Sequence, residues 1–231
     1  MCIRDRRRGR QTANERFGNA ASVLVGDFLY SRAFQMMVDV DNMRVMQVLS
    51  DATNVIAEGE VLQLMNMHDA SLDETAYLRV IRSKTAKLFE ASARLAPILM
   101  GADSTIEAAC ATYGQALGTA FQVIDDVLDY EGSTAEMGKN LGDDLREGKM
   151  TLPIICALQR CSAEQRQLVI SAIENGELEH LNQILAIVRE TGALEAARAS
   201  AKAEAQRAID AAMKLPANEY RSGMLLSLIH I

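Results

Sequence analysis

The chain contains no tryptophan, and aromatic residues make up only 4% of it. Proline occurs three times in 231 residues, at positions 97, 153 and 216, and glycine 14 times. So few breakers exclude collagen-like and proline-rich architectures and leave long stretches in which nothing forbids a helix. The shortage of aromatics disfavours sheet, whose pleated faces they usually fill, while abundant Ala, Leu and Met favour helix. Neither GxGxxG nor GxxxxGK[ST] occurs, so a dinucleotide-binding sheet and a P-loop nucleotidase are both disfavoured. The four cysteines (2, 110, 156, 161) lack C-x-x-C spacing, and the three histidines (68, 180, 230) are scattered. That pattern fits reduced, buried thiols in a cytoplasmic protein better than a zinc site or a disulfide framework. No uncharged apolar run reaches about 18 residues, so no transmembrane span is expected. No apolar stretch follows the basic start MCIRDRRRGR, which therefore does not read as a signal peptide.

What remains is an ordinary globular mixture, 49% hydrophobic and 24% charged, with a net charge of -7. Net acidity without interleaved aromatics argues against nucleic acid as a partner. Helical periodicity begins near Asn19 and runs through ASVLVGDFLYSRAFQMM (21–37), with Asp27 set in an apolar run. Asp27 is either capped and buried or turned into a polar cleft. A second stripe covers about 42–67 and turns polar at Glu58, Glu60 and Gln63. SLDE (71–74) reads as a capping box in which Ser71 caps and Glu74 replies, opening a helix to about 100 that loosens near Pro97. GADST then precedes a helix over about 105–130. The segment 131–150, with glycines at 132, 138, 142 and 148, reads as a functional loop with a short helix inside. Pro153 opens the next helix, to about 161. Further helices are expected near 163–174, 178–190 and 193–214, followed by an apolar C-terminus that could dock on the bundle.

The strongest local signal is FQVIDDVLDY (121–130). Asp125 and Asp129 lie one helical turn apart on a shared face, and Asp126 flanks them. Carboxylates crowded onto an apolar helix need cations, and without a histidine cluster the hard, oxygen-seeking Mg²⁺ is the expected one. Lys84 and Thr85 fall within a predicted helix; Lys139 and Lys149 bracket the glycine-rich loop, with Asp143 and Asp144 between them; RRGR (7–10) adds guanidinium groups. Together these make a coherent polyphosphate site. The methionines at 36–37, 43–46 and 65–67 read either as core packing or as the wall of a channel for a long hydrocarbon.

FQVIDDVLDY resembles the second aspartate-rich motif of the trans-isoprenyl (polyprenyl) diphosphate synthases. RRGRQTAN (7–14), FGNAASVLVGDFLY (17–30), EGEVLQL (58–64), IRSKTAKLFEAS (81–92) and GKNLGDDLREGKMTLP (138–153) resemble that family in the same order, over nearly the whole chain. The resemblance implies a single all-α domain over 1–231, an isoprenoid-synthase-type helical bundle around a central cavity. It implies metal ligation by Asp125, Asp126, Asp129 and, through water, Asp143, with Mg²⁺ as cofactor and Mn²⁺ as its substitute. Lys84, Thr85, Gln122, Lys139 and Lys149 would contact the allylic diphosphate and take part in catalysis; Arg7 and Arg8 would hold isopentenyl diphosphate. The implied reaction condenses isopentenyl diphosphate with an allylic prenyl diphosphate. Its product would be a long-chain, octaprenyl-class all-trans diphosphate for quinone side chains, made by a homodimer and passed to membrane enzymes. A terpene cyclase and a non-catalytic regulatory subunit of a heteromeric synthase are the alternatives.

The family carries a first aspartate-rich motif just upstream of RRG; here MCIRD stands there, so the first helices are expected to be missing and 1–5 to be artificial. The 231 residues alone are accordingly expected to turn over little or not at all. In an enzyme of full family length, Asp125→Ala is expected to lower turnover sharply. An unchanged rate at saturating Mg²⁺ would remove Asp125 from the metal shell.

Overall fold

A helix starts where a side chain accepts its first unpaired N–H groups, and three short polar residues do this at the front of the bundle. Asn42 Oδ1 accepts from the N–H groups of Arg44 (3.0 Å) and Val45 (3.3 Å). Asp73 Oδ1 accepts from Ala76 at 2.8 Å, and Asp103 Oδ1 from Thr105 and Ile106 at 2.8 and 3.1 Å. The computed structural model describes residues 6–7, 10–131, 142–176 and 179–228. In chain order, β1 (Arg6–Arg7) pairs antiparallel with β2 (Arg10–Gln11), and everything else regular is helical. The helices are α1 (Ala13–Phe17), α2 (Asn19–Asp39), α3 (Met43–Met65), α4 (Glu74–Ile81), α5 (Lys87–Leu99) and α6 (Ser104–Glu131). The loop expected over 131–150 lies, from 132 to 141, outside the described residues; beyond it come α7 (Asp143–Arg146), α8 (Leu152–Arg160), α9 (Ala163–Asn175), α10 (Leu181–Glu190), α11 (Ala193–Ala212) and α12 (Glu219–Leu226). The fold is an all-α bundle, as expected; the two-residue strands do not alter its class.

Two expectations about the 71–100 region need correction. Ser71 is not the cap: its N–H and hydroxyl both donate to Asp69 Oδ1, at 2.9 and 2.6 Å. The nearer carboxylate takes both donors, which leaves the cap to Asp73. Nor is the helix loosened at Pro97, which sits within α5; it is interrupted by a π-helical turn over Arg82–Ala86. Two glycines admit that wide turn between its neighbours. A Cβ on Gly59 of α3 would lie 2.8 Å from the Lys84 backbone nitrogen, and one on Gly118 of α6 would lie 2.7 Å from Ala86 Cα.

The axis of the bundle is α6, packed along one side by α5 and along the other by α11. The alanine-rich face of α11 (Ala197, Ala201, Ala208, Ala211, Ala212) is buried. Small side chains let the two helices approach closely, and Glu204 ties α11 to the π turn through Arg82 at 2.7 Å while holding Arg207 at 2.6 Å. The main core lies on the other side, where Val123, Val127 and Tyr130 of α6 meet Leu152 and Ile154 of α8 and Ile184 and Val188 of α10. The apolar C-terminus docks as expected: Leu228 is buried with Tyr113 and Ala208, and the Tyr113 hydroxyl donates to the Met224 carbonyl. By contrast α2 buries nothing, and Val23, Leu24, Phe28 and Leu29 stand open on it. Asp27 is exposed as well, neither buried nor in a cleft. Cys110 and Cys156 are buried free thiols, Cys161 is a half-buried one, and Cys2 lies outside the described residues. No helix among the described residues is long and apolar enough to cross a membrane.

These contacts set opposite expectations for two helical glycines. Gly118→Ala pushes a methyl into the Ala86 backbone and is expected to destabilise by about 1–3 kcal/mol. Gly223→Ala, with nothing within 4 Å of the new methyl, is expected to be neutral or stabilising by up to about 1 kcal/mol. Urea unfolding of the two variants beside the parent chain checks the contrast.

Candidate functional site

Three turns near the C-terminal end of α6 bring the acidic motif onto one wall of a cavity of about 230 Å³. Gln122, Asp125, Asp126 and Asp129 line it from α6; Gln63 and Asn66 from the end of α3; Tyr77 and Ile81 from α4; Lys84 and Thr85 from the π turn. Asp144 of α7 and Lys149, Met150 and Thr151 close the far side. One cavity therefore collects Lys84, Thr85, Gln122, Asp125, Asp126, Asp129 and Lys149, residues spread over 66 positions of sequence. Asp143 is not in its lining; its carboxylate pairs with Arg146 of the same short helix at 3.2 Å. Arg8 and Lys139 lie outside the described residues. Arg7 contributes backbone to β1, and nothing of its side chain is described.

The carboxylates differ in their surroundings. Asp125 is half-buried. Asp129 is buried, and its Oδ2 accepts the Asp144 N–H at 3.1 Å while its carbonyl accepts the Gly142 N–H at 3.1 Å. The far wall is thus pinned to α6 by Asp129 itself. Asp126 is buried, and both its oxygens are engaged: Oδ2 accepts from the Tyr77 hydroxyl at 2.7 Å, Oδ1 from Gln122 Nε2 at 2.8 Å. The Gln122 carbonyl oxygen in turn accepts from the Thr85 hydroxyl at 3.0 Å. Burial, aided by the nearby Asp144 charge, pushes the Asp126 carboxyl up to about 7 even though these two donors pull the other way. Burial, reinforced by the Asp126 charge, also raises the Tyr77 phenol well above its ordinary value, so it stays a proton donor.

The cations are held by acidic partners. Lys84 Nζ lies 2.9 Å from Glu60 Oε2 on α3, and Lys149 Nζ pairs with Asp144 at 3.1 Å and with Glu147. Burial draws the Lys149 ammonium down, but the Asp144 and Glu147 carboxylates outweigh it and hold its pKa above the ordinary lysine value. Four acidic side chains and two lysines line the cavity, so acidic groups outnumber basic ones on its wall. A polyphosphate could not enter such a cavity alone; it needs cations brought with it. Among the described residues no three His, Cys, Asp or Glu side chains converge to hold a metal unaided. The donor set instead suits a hard cation such as Mg²⁺, which takes one or two carboxylates and completes its shell with phosphate oxygens and water.

Sequence reasoning missed Tyr77 and gave no separate role to Asp144. Tyr77 stands seven residues before Lys84, but the π-helical turn over Arg82–Ala86 changes their angular relation, so helical spacing alone did not reveal it. Asp144 rather than Asp143 faces the cavity because of how a four-residue helix happens to be rotated, which no periodicity over so few residues could reveal. The methionines divide: Met67 and Met150 line the cavity, whereas Met36, Met43 and Met65 are exposed.

Asp144→Asn is expected to lower the Lys149 pKa, because the largest favourable charge beside that ammonium is lost. Following the lysine side-chain carbon signals through an alkaline NMR titration reads this directly. An unmoved Lys149 would show that Asp144 does not set its charge.

A family model described as polyprenyl synthetase matches residues 4–190. The octaprenyl diphosphate synthase of Haemophilus influenzae is 50% identical over 228 residues, covering 98% of this chain and 69% of that protein. Among solved structures, a decaprenyl diphosphate synthase from Rhodobacter capsulatus superposes with a TM-score of 0.90 at 44% identity, covering 98% of this chain and 70% of that one. A polyprenyl synthase from Caulobacter crescentus, complexed with calcium and isoprenyl diphosphate, gives a TM-score of 0.91 at 41% identity, covering 96% and 68%.

Proposed function

The chain belongs to the polyprenyl synthetase family, and on that premise we propose that its cavity binds an allylic prenyl diphosphate with Mg²⁺ and extends it with isopentenyl diphosphate. The observation that carries this reading is the acidic cavity wall opposite two lysines: a diphosphate is accommodated there only with divalent cations, and cations only with a multidentate anion. That relatives include octaprenyl and decaprenyl diphosphate synthases, and one solved with calcium and isoprenyl diphosphate, supports the same assignment.

In this reading Asp125 and Asp129 hold the metal. Asp126 and Asp143, expected beside them, are engaged by Tyr77 and Gln122 and by Arg146 respectively. Lys84 and Lys149 hold the diphosphate, Lys84 exchanging Glu60 for a phosphate oxygen. Thr85 and Gln122 fix the allylic end, and Lys139, Arg7 and Arg8 are assigned to the two diphosphates. When bound, the metal neutralises charge on the departing pyrophosphate. The allylic C–O bond breaks with its electron pair on pyrophosphate, the isopentenyl double bond attacks the cation, and a proton is lost to pyrophosphate. Val80, Ile81 and Met150 beside the polar groups help exclude water, which would otherwise trap the cation. Repetition gives a long all-trans polyprenyl diphosphate of octaprenyl class, suited to a quinone side chain and to transfer to membrane enzymes. A cytoplasmic homodimer belongs to the same reading, supported by the open apolar face of α2.

The test is binding of farnesyl thiolodiphosphate, which resists ionisation, by titration calorimetry with and without Mg²⁺. Binding is expected to require Mg²⁺ and to weaken at least about tenfold in Lys84→Ala and in Asp125→Ala, each of which removes a charged contact to the ligand or its cation. Metal-independent binding, or indifference to both substitutions, would overturn the assignment. In an enzyme of full family length, chromatography of the product from labelled isopentenyl diphosphate reads chain length.

A further inference from the structure

A carboxylate buried in a cavity wall is ordinarily matched by a cation, yet Asp126 is held by two neutral donors, the Tyr77 phenol and the Gln122 amide. Were packing the only requirement, apolar side chains of similar volume would serve as well without the cost of desolvating a charge. The arrangement instead accomplishes something directional. An amide can turn over and exchange its oxygen for its nitrogen at little steric cost. Asp126 Oδ1 accepts only from Nε2, so it fixes which end of Gln122 points where. The Gln122 oxygen is thereby turned to the Thr85 hydroxyl at 3.0 Å. Asp126 could itself rotate about its Cβ–Cγ bond, and the Tyr77 hydroxyl on its other oxygen, at 2.7 Å, opposes that. Tyr77 is buried, as is the Asp126 side chain, and both line the same cavity as Thr85 and Gln122.

We infer that Tyr77 is a positioning residue: through Asp126 it fixes the Gln122 amide and the Thr85 hydroxyl in the orientation that receives the metal-bound allylic diphosphate, and Asp126 serves as the anchor of this relay rather than as a metal ligand. The inference deepens the proposed function and rests on it for the identity of the ligand. The order of the chain (Tyr77, Asp126, Gln122, Thr85) joins α4 to α6 and α6 to the π turn. A hydroxyl committed to Asp126 thus governs groups that touch the ligand.

Tyr77→Phe removes the hydroxyl and keeps the ring. Two readouts follow. In ¹⁵N-labelled protein without ligand, the Gln122 side-chain amide signals, assigned by their loss in Gln122→Ala, are expected to shift and broaden in Tyr77→Phe. They should not move in Tyr113→Phe, whose hydroxyl, nearer the start of α6, donates to the Met224 carbonyl of α12. In calorimetry with Mg²⁺ and farnesyl thiolodiphosphate, Tyr77→Phe is expected to weaken binding about tenfold, the scale of one hydrogen bond to a charged group. In a Gln122→Ala background it should weaken binding no further, because the relay is already cut. A merely structural tyrosine would lower stability but act additively with Gln122→Ala, and that additivity would overturn the inference, as would unmoved Gln122 signals. If the Tyr77→Phe chain fails to fold, Asp126→Asn keeps the shape but cannot accept both hydrogen bonds, and the same signals must move. Absence of ligand binding by the parent chain sinks the proposed function and the positioning role with it. Parent binding that Tyr77→Phe leaves intact sinks the positioning role alone.

Discussion

The site depends on how closely three helices can bring their backbones together. Gly59 on α3 and Gly118 on α6 remove the two side chains that would hold the Arg82–Ala86 turn away, and the turn settles into the gap with a π-helical step. That step sets the angular position of Lys84 and Thr85 relative to Tyr77 on the preceding α4. In a continuous α-helix the same residues would be rotated by a different amount about the axis, and Thr85 would not meet Gln122 as it does. Packing at two glycines therefore fixes a hydrogen bond at the chemical end of the molecule.

Electrostatics builds on that geometry. The acidic residues of α6 occur on a helix whose other faces are committed to the core through Val123, Val127 and Tyr130, so they cannot turn away without exposing that core. Asp129 is used twice over, facing the cavity and fixing the Asp144 backbone. Asp144 then holds Lys149, so one carboxylate organises the wall that carries the opposing charge. A cavity with more acidic than basic side chains favours a ligand that arrives with its own cations, and this is the support the structure lends to the proposed diphosphate chemistry.

Much of the bundle was legible in the chain. The long apolar periodicities and Pro153 at the start of α8 are local or single-period signals, and each corresponds to an observed element. The legible part of the site was the i, i+4 pair Asp125 and Asp129 and the Lys84–Thr85 step. The less legible part was the π turn, whose cause lies 23 or more residues away in either direction, at Gly59 and Gly118. The Ser71 cap was misjudged because a competing acceptor, Asp69, sat two residues earlier.

By itself, the order of residues determined an all-α chain and, through its ordered motifs, the family to which it belongs. Those properties follow from composition, helical period and short motifs, all of which are local in the chain. Tertiary structure alone decided which acid of the Asp143–Asp144 pair faces the cavity, that Asp126 is gripped by Tyr77 and Gln122, and that Lys84 rests against Glu60. Each is a contact between segments whose relative rotation is set by packing several helices at once, and a one-dimensional pattern does not encode that rotation.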